Sequence, residues 1–238
     1  MDYKKLEELS YKKLCEIANK LEIPIKRSKD SMYKEIKNVF KEYETYKKTK
    51  IDKYIKEKEI KKTKDYSIYL VENKDDNKKY IMKAFKKNKS SSSLNREVEL
   101  QKLASDFDIA PNIIDIDTVS KYIIMENMDK HINLSKEITN KQQKQIISIL
   151  KKLDKSQVYH DNIKIENFMY KGDNLSIINF SKSKPITNNL IVKYKTDTPN
   201  LTLSSLSLVL QLKDKNFNKS SYELLLKYIS EDKRSNWI

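Results

Sequence analysis

A single change of hydrophobic period, across the charged stretch 43–59, limits the folds open to this chain. Before it, Leu6, Leu9, Leu14, Ile17, Ala18 and Leu21 recur at spacings near three and four, the pattern of an amphipathic helix. Ser10 is placed to cap that helix, and Pro24 drives Ile23 out of the helical region and so ends it. A second helix starts near Ser28 or Asp30 and buries Met32, Ile36, Val39 and Phe40. Beyond the charged stretch, SIYLV and YIMKAF alternate apolar and polar positions around the turn-rich ENKDDNKK, which predicts a hairpin. Residues 122–125 read as a buried strand, and Ile146, Ile149, Leu150 and Leu153 share one face of a long helix. The class is therefore α+β, with a small helical module ahead of a mixed region. The charged stretch is dense in alternating charge and free of proline and glycine, which predicts a solvated helical linker.

A length of 238 residues allows one sizeable core, or a compact domain with a small appendage. No apolar run approaches the ~20 residues of a bilayer span, so no membrane partner is expected. The opening MDYKKLEELS lacks the apolar core of a secretory signal, which predicts an intracellular location, cytoplasmic or nuclear. Cys15 is the only cysteine and reads as a small buried hydrophobe. The net charge of +15 would suit an anionic partner, but it is nearly all lysine. Arginine occurs only at Arg27, Arg96 and Arg234, and Gly172 is the only glycine. An AT-rich genome produces that composition with no selection for binding, so most of the lysine surface reads as solvated.

The segments YHDNIKIEN (159–167) and IINFSKS (177–183) resemble the catalytic and metal-binding loops of protein kinases, H-R-D-L-x-x-x-N and D-F-G. The resemblance puts Asn162 at the catalytic aspartate, Asn167 at the metal-binding asparagine and Asn179 at the metal-binding aspartate. An amide has nearly the shape of a carboxylate but carries no charge, is a poor base, and is a weaker ligand for a hard divalent cation. The likeness extends over about residues 60–212. YIMK makes Lys83 the residue that pairs with nucleotide phosphates, and NREVELQKL makes Glu97 its ion-pair partner. Met125 would guard the adenine pocket, with Glu126 and Met128 supplying backbone hydrogen bonds. Lys61, Thr63 and Tyr66 take the glycine positions of the phosphate-covering loop, where their side chains impede close approach of backbone to phosphate. His160 is the structural histidine of the loop, and His131 a surface residue. NLTLSSLSLVLQL matches the central helix of the C-lobe without the usual aspartate at its start, and no A-P-E segment follows the second loop.

The implied architecture is a two-lobed protein-kinase-like fold. It has a helical module at 1–45, a linker at 46–59, an N-lobe at 60–128 and a truncated C-lobe at 129–238. The implied function is that of a pseudokinase acting as a binding or regulatory scaffold for a protein partner, with weak, metal-independent ATP binding and a poor site for Mg²⁺. One alternative is a divergent active serine/threonine kinase transferring the ATP γ-phosphate with Asp161 as base. A second is DNA tethering, because LSYKKLCEIANKLEIPIKRSKDSMYKEI resembles a SAP-like helix-extended-helix module. That likeness implies DNA contacts at Lys26, Arg27 and Lys29, although a hairpin that only packs or binds protein fits the same residues. The compact loops look most like kinases and pseudokinases of large DNA viruses, which would place the protein in a virus factory or virion.

Overall fold

The computed structural model describes residues 6–86 and 89–237. The chain is mixed α+β and divides into two compact units, Met1–Ile55 with Asn73–Asn77, and Lys56–Glu72 with Lys78–Ile238.

In the first unit, helix α1 (Tyr11–Lys20) is capped by Ser10, whose Oγ accepts from Lys13 N at 3.4 Å. Its C-terminus closes with two bonds characteristic of a left-handed cap: Ile23 N donates to Ala18 O at 2.9 Å and Glu22 N to Asn19 O at 3.3 Å. Glu22 stands in the left-handed region with φ 56°, where glycine is the usual residue. Helix α2 (Lys29–Asp52) follows, with Ser28 Oγ accepting from Ser31 N at 3.2 Å. Leu14, Ala18, Ile23, Met32 and Ile36 pack together between the two helices, with Cys15 half-buried beside them.

The linker expected at 46–59 is not one helix. The helix ends at Asp52 and strand β1 (Tyr54–Lys62) begins at once. Lysine and glutamate favour helix only weakly, and pairing with a neighbouring strand overrides that preference where residues alternate.

The second unit is built on a five-stranded sheet in the order β1-β2-β3-β5-β4. Its other members are β2 (Tyr66–Asn73), β3 (Lys79–Phe85), β4 (Ile113–Asp117) and β5 (Tyr122–Glu126), and β2–β3, β3–β5 and β4–β5 pair antiparallel. Helix α3 (Ser91–Ser105) connects β3 to β4 and packs Leu94 and Val98 on Phe85 and Ile123. After β6 (Lys130–His131) the unit becomes mainly helical. Helix α4 (Asn140–Lys155) starts with a reciprocal cap in which Thr139 and Gln142 each bond the other's backbone N–H. Short strands follow at β7 (Val158–Tyr159), β8 (Phe168–Lys171), β9 (Asn174–Ile177) and β10 (Lys184–Pro185). They form two small sheets, β6-β8-β9 and β10-β7. Helices α5 (Asn188–Tyr194) and α6 (Pro199–Asp214) come next. The single helix suggested by SYELLLKYISE is instead a short α7 (Glu223–Leu226) and a separate α8 (Glu231–Trp237), with a turn that buries Ile229.

The larger core holds Ile146, Ile149, Leu150 and Leu153 of α4 against Leu208 and Leu212 of α6 and Phe168, Ile177 and Phe180 of the loops. The helical face expected from 146–153 is therefore the one that is buried, and it carries the loops bearing Asn162, Asn167 and Asn179.

Candidate functional site

Lys83 and Glu97 lie on facing elements, and period-two alternation along β3 turns Lys83 and Phe85 toward α3. Lys83 Nζ pairs with Glu97 Oε1, their side chains being 5% and 3% exposed, and Lys89 Nζ lies 3.4 Å from Glu97 Oε2. Burial pulls the Lys83 pKa down against the upward pull of Glu97. The Lys83 ammonium also sits 4.5 Å from the centre of the Tyr66 ring and 5.1 Å from that of Phe85, and those rings meet edge to face. A carboxylate and two aromatic rings thus enclose the cation.

Tyr66 reaches this position from the β1–β2 turn, the segment aligned with the phosphate-covering loop. Thr63 Oγ1 accepts from Asp65 N at 3.2 Å and from Tyr66 N at 3.0 Å, so a side chain shapes the turn in which glycine was expected to be missing. A phosphate approaching Lys83 from this side would have to displace the Tyr66 ring.

Of the residues expected to line an adenine pocket, Met125 is half-buried on β5 with Sδ 3.7 Å from Gln101 Nε2. Glu126 N donates to Asn112 O at 3.0 Å, and the Glu126 carboxylate accepts from Asn112 N at 3.1 Å and pairs with Lys171 at 2.7 Å. Desolvation raises the Glu126 pKa, but Lys171 and Asn112 outweigh it and hold the carboxyl below its usual range. Met128 is buried just after β5.

Helix α3 also packs against the 3-10 turn Phe180–Lys182, which links Glu97's helix to the second motif. Asn179 precedes that turn at φ 75°, and its Oδ1 accepts from Ser181 Oγ at 2.9 Å. Phe180 is buried edge-on to His160, the ring centres 4.8 Å apart. His160 Nε2 donates to Ile178 O at 3.1 Å, and burial pushes the His160 pKa down to about 4. A neutral imidazole that braces one loop against the other is a structural part, as its sequence position suggested. His131 is exposed, with Nδ1 2.9 Å from Glu166 O.

The first motif is held from below by two residues that the sequence did not single out. Asn200, at the start of α6, accepts from His160 N at 3.0 Å through Oδ1 and donates through Nδ2 to Val158 O and Asp154 Oδ1, both at 2.8 Å. Asp154 also accepts from Asn200 N and Leu201 N, at 2.9 and 3.0 Å. Asn200 stands at the start of α6, where the resemblance implied an aspartate, and its amide donates to the neighbouring Asp154 carboxylate. A second carboxylate at this position would face Asp154 across a hydrogen-bond distance. Burial raises the Asp154 pKa, although the bonds from Asn200 and Leu201 oppose it.

In the loop itself, Asn167 is buried and its Nδ2 donates to Asn162 O at 2.9 Å. Asp161 stands at φ 53° and pairs with Lys184 at 2.7 Å. Asp161 and Asn162 line a groove of about 690 Å³ whose far wall is Ser207, Gln211 and Asp214 of α6. Gln211 fixes the loop to that wall, accepting from Ile165 N at 3.1 Å and donating to Ile163 O at 3.2 Å.

These donors do not fit Mg²⁺. Asn179 is a neutral amide whose Oδ1 already accepts from Ser181 Oγ, Asn167 uses its Nδ2 on the loop backbone, and no carboxylate joins them where a hard divalent cation prefers carboxylate oxygen. Among the described residues no three His, Cys, Asp or Glu side chains gather into a metal-sized group. In the first unit, Arg27 and Lys29 are exposed where α2 begins, whereas Lys26 is partly buried and its backbone N lies 2.9 Å from Met32 Sδ. Among the described residues no helix is long and apolar enough to cross a membrane. No protein-family model and no curated protein sequence matches the chain.

Proposed function

We propose that the chain is a pseudokinase, a protein of kinase-like two-lobed architecture that acts as a binding or regulatory scaffold for a protein partner. The order of elements supports this: an antiparallel sheet with one helix between its third strand and the strand beside its edge, then a helical half carrying two short loops. The observation that carries it is a combination. The Lys83–Glu97 pair is kept and buried and Asn167 keeps the motif's asparagine, while Asn162 and Asn179 put amides where phosphoryl transfer needs a base and a metal-binding anion. Tyr66 over Lys83 points the same way, since the cation is engaged by the protein itself. ATP binding, where it occurs, is weak and independent of Mg²⁺.

The test is incubation of the full chain with γ-labelled ATP, Mg²⁺ and a generic basic protein. No incorporation into either protein is expected. Transfer that disappears in both Lys83→Ala and Asp161→Ala would establish the alternative, a divergent serine/threonine kinase with Asp161 as base. Asp161 lines the groove but is held by Lys184, which is why that alternative ranks second.

Exposed Arg27 and Lys29 at the start of α2 favour one further reading, DNA tethering by the SAP-like module. Duplex binding that survives moderate salt and is lost on deleting residues 1–45 would support it, and binding indifferent to that deletion would end it.

A further inference from the structure

We propose that the cavity between the end of α5, helix α6 and the α7–α8 turn binds a phosphorylated serine or threonine of the partner protein, whose neighbouring residues lie in the groove beside the first motif. This rests on the scaffold reading above and names the chemistry of its partner. The cavity measures about 470 Å³, within the ~300–1,000 Å³ of ligand sites. Lys195, Lys227, Lys233 and Arg234 line it, and no carboxylate does. Composition alone does not produce that imbalance. The whole chain has 49 cationic side chains to 34 acidic ones, and the neighbouring groove mixes Asp161, Glu166 and Asp214 with Lys164 and Lys215. Two more ammonium groups lie against rings of the cavity wall, Lys151 at 5.0 Å from the centre of Tyr228 and Lys193 at 5.3 Å from that of Tyr194.

Among the described residues no carboxylate comes within 4.0 Å of any of the four lining charges. Asp197, Glu231 and Asp232 are the nearest acids along the chain, and all three are exposed and outside the lining. Arg234, one of only three arginines, is held in place. Its Nε donates to Ile229 O at 2.7 Å, which steers the guanidinium and leaves both terminal nitrogens as a fork for two oxygens of an anion. Like charges gathered round a cavity repel one another, and a phosphoryl group relieves more of that repulsion than a carboxylate, with nearly twice the charge and three acceptor oxygens.

The groove decides what carries the phosphate. Cavity and groove share Leu203, and Tyr194 of the one meets Tyr159 of the other with ring centres 5.7 Å apart. A ligand anchored by its phosphate therefore extends past Asp161, Glu166 and Asp214. A nucleic-acid strand would bring further phosphates against those carboxylates, whereas a peptide with a single phosphate and a lysine or arginine beside it meets opposite charge in both places.

Fluorescence anisotropy of the full chain with a labelled peptide pool, random except for a central phosphothreonine, tests this at about 0.15 M salt, where scattered surface charge is screened. Binding at about tens of micromolar is expected, at least about tenfold weaker for the same pool with plain threonine. Peptides recovered from the pool should carry lysine or arginine beside the phosphothreonine. Arg234→Gln should weaken binding about tenfold, and so should Lys195→Gln with Lys227→Gln, which leaves the Arg234–Ile229 bond intact should the arginine variant fail to fold. Lys58→Gln with Lys62→Gln makes the same charge change on the exposed β1 strand and should alter nothing. Binding indifferent to the phosphate, an equal loss in the β1 variant, or a single-stranded oligonucleotide that binds more tightly and displaces the peptide overturns the proposal. None of these results bears on phosphoryl transfer, which the labelled-ATP assay decides separately.

Discussion

Lowering the pH from 7.5 to 4.5 is expected to remove about 2.5 kcal/mol of folding stability through His160 alone. Burial takes its pKa from 6.5 to about 4, and at 1.36 kcal/mol per pH unit this difference amounts to about 3 kcal/mol when fully expressed. The sign follows from which state binds the proton. Below pH 6.5 the unfolded chain protonates His160 while the folded imidazole, donating to Ile178 O and packed on Phe180, stays neutral. The contribution is therefore complete above pH 6.5 and is lost as the pH falls toward 4, below which both states are protonated. Urea unfolding of wild type and His160→Gln at the two pH values isolates it, because the raised pKa of Asp154 acts with the opposite sign in both proteins and drops out of the comparison. Should the variant fail to fold, NMR titration of the His160 ring in the wild type answers the same question. Equal pH dependence in the two proteins, or a His160 ring that titrates near 6.5 in the folded chain, would refute the reasoning.

Lys83→Met leaves the Glu97 carboxylate buried with only the longer contact to Lys89, and denaturant unfolding should show a loss of about 3 kcal/mol. Adding Glu97→Leu to that variant should recover most of the loss, because the unpaired charge is gone. Asn200→Ala strips His160 N and Asp154 of their shared partner and should cost about 3 kcal/mol. Asn200→Asp opposes two carboxylates, so its cost relative to wild type should be larger at pH 7 than at pH 5, a difference from which the shared His160 effect drops out. Glu22→Gly relieves a left-handed residue worth about 1 kcal/mol, partly offset by glycine's freedom in the unfolded chain, and thermal unfolding should show a gain of about 0.5 kcal/mol.

Much of the second unit was legible because its signals are local. Ile146, Ile149, Leu150 and Leu153 announce the face of α4, and the turn residues ENKDDNKK announce the β2–β3 hairpin. The Lys83–Glu97 pair was legible from order along the chain, and the structure brings the two residues into contact. What stayed hidden depends on partners distant in sequence. Tyr66 reads as one more aromatic until strand register places it beside Phe85 over the Lys83 ammonium. Asn200 reads as a missing aspartate until Asp154, 46 residues earlier, is seen to occupy the same hydrogen-bonded corner. The strand at β1 was masked by its composition: lysine and glutamate in alternation suit a solvated helix, and only pairing decides for a strand. The scarcity of glycine had a consequence that local reading missed. Left-handed positions such as Glu22, Asp161 and Asn179 are occupied by residues with side chains, so glycine gave no notice of those turns.

The central claim, an architecture that has lost the means of phosphoryl transfer, is tested most directly by thermal unfolding of the full chain with millimolar ATP, in Mg²⁺ and in EDTA. A ligand present at about 100 times its Kd stabilises by about 2.7 kcal/mol, a shift of several degrees that is readily measured. With amides in place of carboxylates at Asn162 and Asn179, any rise in Tm is predicted to be small and the same in Mg²⁺ as in EDTA. A rise of several degrees that requires Mg²⁺ would contradict the account, because it would mean that the site holds the metal–nucleotide complex these amides are argued not to bind.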